Sequence, residues 1–152
     1  MCDSLLIRPV NEQDRTVYTQ LMEEFYNTDA VLSPLPPSFH QRTFDELMKN
    51  GPYLRGFLFE KEGQIAGFGQ ISFRYGSEAG GIECWFEDLY VKEAFRCLGI
   101  GGRFMDYVME HFPAPRYRLE AEEGNPRAIA LYKKKGFSFL PYKQMICDRK
   151  DI

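Results

Sequence analysis

The sequence predicts an α+β domain in which a central mixed, mostly antiparallel sheet is flanked by helices, in the order βααβββαβαββ. Three observations carry that expectation. Val17, Tyr18, Leu21, Met22 and Phe25 recur at helical spacing near the N-terminus. Three apolar runs, residues 53–60, 64–75 and 82–91, are separated by the turn-forming stretches Glu60-Lys61-Glu62-Gly63 and 76–81, which makes an antiparallel meander. Ile100, Phe104, Val108 and Phe112 then repeat every four residues, one buried stripe of a helix.

In chain order, residues 4–10 read as an opening strand, ended by Pro9 and the cap-like Asn11. A helix over 14–27 follows. Residues 27–39 read as irregular, because Pro34, Pro36 and Pro37 exclude a regular helix or a central strand. Phe44, Leu47 and Met48 mark one face of a short second helix, stopped by Asn50-Gly51-Pro52. After the meander comes the helix beginning near Ile100, which Pro113 and Pro115 end. Residues 117–121 form a short strand. Asn125-Pro126 gives an N-cap with proline in the first helical position, and the helix over 127–135 ends at Gly136. Residues 138–140 and 143–147 are expected to complete the sheet as terminal strands. No repeat or linker divides the 152 residues, so a single domain over 1–152 is expected.

Composition sets outer limits. The net charge of −3 contains no block of like charge and gives no support for nucleic-acid binding. No apolar run approaches the roughly 20 residues that span a bilayer, and Met1-Cys2-Asp3-Ser4 lacks the form of a signal peptide. Cys2, Cys84, Cys97 and Cys147 have no metal-ligand spacing and read as reduced thiols of a cytoplasmic protein, with no metal expected.

The chemistry starts at Arg96-Cys97-Leu98-Gly99-Ile100-Gly101-Gly102, a glycine loop between a strand and a helix. Backbone N–H groups and the helix dipole converge there, which suits a phosphate. The dinucleotide fingerprint fails, because its third glycine would fall on Phe104, and the triphosphatase loop fails for want of Gly-Lys-Ser/Thr. Arg96-x-x-Gly99-x-Gly101 instead resembles the R/Q-x-x-G-x-G/A pattern of the GNAT N-acetyltransferases, and Asn125-Pro-Arg-Ala-Ile-Ala-Leu-Tyr132-Lys-Lys-Lys-Gly136-Phe137 is similar to that family's second hallmark segment. Glu87-Asp88-Leu89-Tyr90-Val91 before the loop resembles most the diamine (spermidine/spermine-type) acetyltransferases.

The resemblance implies the GNAT fold and acetyl-CoA as acetyl donor. It implies that backbone groups of Leu89, Tyr90 and Val91 pair with the pantetheine arm. Residues from Arg96 through Cys97, Leu98, Gly99, Ile100, Gly101 and Gly102 would surround the pyrophosphate, with Asn125, Arg127 and Tyr132 also on the cofactor. The Arg96 guanidinium either holds the loop or faces the phosphates. Tyr132 would donate to the departing thiolate, and a phenol with a pKa of ~10 keeps its proton at neutral pH. Glu87 is the candidate base, with Asp88 second. Strand alternation places Glu87 and Leu89 on one face and Asp88 and Tyr90 on the other, so only one acid is expected to face the acceptor.

The acceptor side is sought in the first two helices and their loop, at Phe25, Tyr26, Asp29, Phe39 and His40, together with Glu87 and Asp88. The expected function is transfer of acetyl from acetyl-CoA to a primary amine, a small amine or polyamine, by direct attack in a ternary complex. The alternatives are a protein lysine or N-terminal acetyltransferase and a non-catalytic acetyl-CoA-binding module. By analogy with relatives, a homodimer is expected.

Overall fold

A computed structural model describes residues 4–150; Cys2 lies outside them. Five strands form one sheet in the order β1-β2-β3-β4-β5: β1 Leu5–Pro9, β2 Leu54–Lys61, β3 Gln64–Gly76, β4 Gly81–Val91 and β5 Arg116–Leu119. The first four are antiparallel neighbours and β5 runs parallel to β4, so the sheet is mixed and mostly antiparallel. The helices are α1 Arg15–Tyr26, α2 Pro37–Met48, α3 Ile100–His111 and α4 Pro126–Lys134.

Helices cover both faces of the sheet, and β2 shows why its middle residues are all buried. Phe57 and Phe59 point into one core with Ile71, Phe86, Ile100, Phe104 and Val108 of β3, β4 and α3. Leu58, between them, points into the other with Tyr18, Leu21, Phe25, Phe44 and Phe68. Gly69 lets α3 dock closely, since a Cβ there would lie 2.4 Å from the Phe104 ring.

Three expectations are corrected. Proline does not exclude helix across 27–39: Pro37 opens α2, standing in the first turn where a missing N–H costs nothing. Residues 138–140 and 143–147 are not strands. Phe139, Leu140, Tyr142, Met145 and Ile146 are exposed there, and Pro141 removes a ladder donor from the middle of the segment. The observed order within the described residues is therefore βααβββαβα.

The third correction concerns β4. Its register with β3 shifts between Gln70 and Ile71: Ile71 pairs with Phe86 and Gln70 with Asp88, leaving Glu87 as an extra residue. Such a bulge reverses side-chain alternation beyond it. Phe86 and Leu89, three residues apart, both pack on the α3 side. Asp88 turns instead toward α1, where Tyr26 Oη donates to its Oδ1 at 2.9 Å. Glu87 turns to that same α1 side, accepting a hydrogen bond from Ser72 Oγ. Both acids face one way.

Candidate active site

β5 accompanies β4 only from Glu83 to Phe86, pairing Glu83 with Arg116 and Phe86 with Leu119. From Glu87 onward that edge of β4 has no strand beside it among the described residues. The sheet opens at the two acids, and the backbone of Leu89, Tyr90 and Val91 offers a strand edge to an extended guest.

At the end of β4 the chain turns into the glycine loop. Arg96 Nε donates to the Val91 carbonyl at 3.0 Å, so its guanidinium holds the loop to the strand. Cys97 and Gly99 take left-handed backbone angles, φ 64° and 76°. Gly99 is the N-cap of α3 and has no side chain to cap the helix. The first helical bond to it comes from Arg103 N, leaving the amides of Ile100, Gly101 and Gly102 without intrahelical acceptors. Gly101 and Gly102 lie against α4, with Leu131 side-chain carbons 3.5 and 3.4 Å from where their Cβ atoms would stand. Lys135 ties the two helices, meeting both Asp106 oxygens at 2.8 and 2.9 Å. Leu98 is exposed on the loop, and Arg127 Nη2 touches Cys97 Sγ. These residues fit a diphosphate: unclaimed amides, a helix N-terminus and little side-chain bulk.

On α4, Asn125 Oδ1 accepts from Ala128 N at 3.3 Å, so the cap is real. Tyr132 packs against Phe137 beside the α3 core. Burial raises its phenol pKa, which keeps it a proton donor.

Across the opening stands the α1 side. Burial pushes the Asp88 carboxyl up to about 7, while the Tyr26 hydroxyl pulls it down and the Glu87 charge adds to the rise. The Tyr26 phenol is itself pushed up strongly, first by burial and then by Asp88. Tyr90 Oη reaches Glu24 Oε2 at 3.2 Å. His40 is buried with its ring 5.6 Å from that of Tyr26, and its Nδ1 has no partner among the described residues. Burial lowers its pKa, so it stands there neutral.

Of the acceptor-side candidates, Tyr26, Glu87 and Asp88 come together. Phe25 is a core residue packed edge-on to Phe68. Phe39 lies under the Arg42 guanidinium on the surface. Asp29 is exposed, with no hydrogen bond or ion pair among the described residues. Sequence reasoning passed over Gln70, which accepts from the buried Tyr18 hydroxyl at 2.8 Å and pairs with Asp88 across the strands. A glutamine inside an otherwise apolar strand run was the available signal.

Comparison with known proteins agrees with this geometry. No curated protein sequence matches the chain. Among solved structures, a possible acetyltransferase from Clostridium difficile 630 superposes with a TM-score of 0.80 at 14% identity, covering 97% of this chain and 99% of that one. The aminoglycoside acetyltransferase AAC(6')-Iy, in complex with the bisubstrate analogue CoA-S-monomethyl-acetylneamine, gives 0.79 at 16% identity over 95% and 98%. A predicted acetyltransferase with acetyl-CoA from Clostridium acetobutylicum gives 0.76 at 17% identity over 94% and 96%. At these identities the likeness establishes the fold. The family itself is established by the sequence profile of the acetyltransferase (GNAT) family, which matches residues 16–137: the chain belongs to this family of acetyl-CoA-dependent N-acetyltransferases.

Proposed function

We propose that the protein moves the acetyl group of acetyl-CoA to the primary amine of a small molecule by direct attack in a ternary complex. The observation that carries this reading is the coincidence at Glu87. There β5 leaves β4, the bulge turns two carboxylates to one side, and the open strand edge begins. A thioester laid along Leu89 to Val91, with its diphosphate at residues 96–102, directs its acyl end toward those carboxylates. The neighbouring AAC(6')-Iy, whose acceptor is an aminoglycoside, supports a small polar amine as substrate class. The diamine-type sequence around Glu87 supports a primary amine at the reacting end.

The acceptor ammonium must lose a proton before its nitrogen can attack. Glu87, exposed beside Ser72, takes that proton. Asp88 and Tyr26 hold a charge-poor wall behind it. A new C–N bond forms as the C–S bond breaks, and the Tyr132 hydroxyl protonates the departing thiolate. A strand amide near Leu89 polarises the carbonyl. The reaction needs neither metal nor covalent enzyme intermediate. We also propose a homodimer in a reducing, cytoplasmic setting; the free thiols at Cys84, Cys97 and Cys147 are in keeping with the latter.

The test is thiol release from acetyl-CoA against an amine panel. Acceptor-dependent release is expected, with Tyr132→Phe lowering kcat at least tenfold and leaving acetyl-CoA affinity within a few-fold. Thermal stabilisation by acetyl-CoA without turnover of any amine or peptide would replace the enzyme with a binding module. Unchanged kcat in Tyr132→Phe would remove the leaving-group role.

A further inference from the structure

The N-terminal half of β4 carries a second cluster of charge on the acceptor face. Glu83 is 1% exposed, and three arginines surround it. Arg74 Nε donates to its Oε1 at 3.1 Å. Arg116 Nη1 and Arg118 Nη1, from β5, stand 3.6 and 3.7 Å from its oxygens. Those two distances are ion pairs but exceed hydrogen bonds, so the Arg116 and Arg118 donors are not consumed by Glu83. Gly76 makes room for the carboxylate: a Cβ there would lie 2.5 Å from Glu83 Cδ. Arg118 and Arg74 both lie against the Trp85 ring, with Cζ atoms 4.3 and 5.2 Å from its centroid, which fixes the two guanidiniums. Trp85 Nε1 is buried and has no acceptor among the described residues.

Between these side chains and the β3–β4 turn lies a cavity of about 220 Å³, lined by Arg74, Arg116, Arg118, Glu83, Ser77 and Glu78 among others. Three guanidiniums meet two carboxylates, one of them buried beneath and the other at the rim, where it accepts from Tyr142 Oη at 3.1 Å. A surplus positive charge, with three guanidiniums lining one open cavity, calls for an oxyanion.

We propose that this cavity is the second half of the acceptor site and binds an anionic group, a carboxylate or a phosphate, carried by the amine substrate. Glu83, Trp85 and Glu87 lie on one face of β4, because alternation runs unbroken as far as Glu87 and reverses only at Asp88. Four residues of strand place Glu83 roughly 13 Å from Glu87, at about 3.3 Å per residue. A ligand anchored at the arginines therefore extends its amine to the two carboxylates. Its ammonium meets negative charge and its anion meets positive charge, whereas a polyamine would bring its second cation to the arginines. The inference rests on the acetyltransferase reading only for the amine end; the anion end can be measured without turnover.

Trp85 is the only tryptophan of the chain, so its fluorescence reports on this cavity. Titration with inorganic phosphate is expected to give a saturable change, weakened at least tenfold in Arg116→Ala, whose side chain is not among those stacked on the indole. In the thiol-release assay, 8-aminooctanoate or 8-aminooctyl phosphate is expected to exceed 1,8-diaminooctane at least tenfold in kcat/KM. Which of the two anions leads identifies the group. In Arg116→Ala the preference should fall toward unity, and Arg116→Gln serves if the alanine variant does not fold. No saturable phosphate signal, or a diamine used as well as its anionic partners, overturns the proposal. If no amine is acetylated at all, the acetyltransferase reading fails instead, and the phosphate titration alone decides whether the anion site exists.

Discussion

Burial carries the Asp88 carboxyl far above its ordinary range, and the neighbouring Glu87 charge adds to the rise. Its pKa of about 7 exceeds the 3.8 of an unperturbed aspartate, so between those values the folded protein keeps a proton the unfolded chain has released. The contribution of Asp88 to stability then falls as pH rises through that window. Asp14, held low chiefly by its hydrogen bonds from Arg8, acts with the opposite sign, its contribution being lost only as pH falls through its depressed pKa. Asp88→Asn keeps an acceptor for Tyr26 and removes the titration. Its Tm should therefore change less than that of the parent between about pH 4.5 and pH 7 and exceed the parent's above pH 7. Parallel Tm–pH curves for the two proteins would show that Asp88 is already ionised at low pH. The sequence showed this acid and its neighbour but assigned them to opposite faces. A bulge adds one residue without altering the polar pattern, so only the Gln70–Asp88 register exposes it.

At the scale of elements, the glycine loop was legible from its spacing between a strand and a helix, although its glycines are not equally required. Gly99 sits at φ 76° with open space where a Cβ would be, so an alanine there meets backbone strain alone, roughly 1–2 kcal/mol. Gly101 has no such angle, and its Cβ would rest 3.5 Å from Leu131 in ordinary contact. Gly99→Ala should lower Tm by several degrees and raise KM for acetyl-CoA, as the loop amides lose their common direction. Gly101→Ala should leave Tm close to the parent's. Calorimetry and initial rates on the two variants check this, and equal behaviour would mean that the left-handed turn is not what shapes the phosphate site. The helices were equally readable from their stripes, but their starts were less so. Pro37 reads as a breaker until its place at the opening of α2 is known, because the same missing N–H is a defect inside a helix and harmless at its first turn.

For the whole molecule, the part least legible in sequence is the segment after Phe137. Its apolar residues suggested strands, yet a strand exists only by pairing, and no partner edge within the described chain takes them. Phe139, Tyr142, Met145 and Ile146 are each more than 60% exposed, and Leu140 is 45% exposed. So dense a run of large apolar side chains in water marks a surface that gains by being covered. A second copy supplies the same unpaired segment and the same outer strand β5, so each chain can meet in the other what it lacks. The protein should therefore sediment as a dimer at micromolar concentration. Met145→Glu combined with Ile146→Lys, two changes at exposed sites that leave both cores untouched, should shift it to monomer with little loss of helix signal in circular dichroism. A parent that sediments as a monomer, or a charged variant that remains dimeric, would show that these side chains do not hold two copies together.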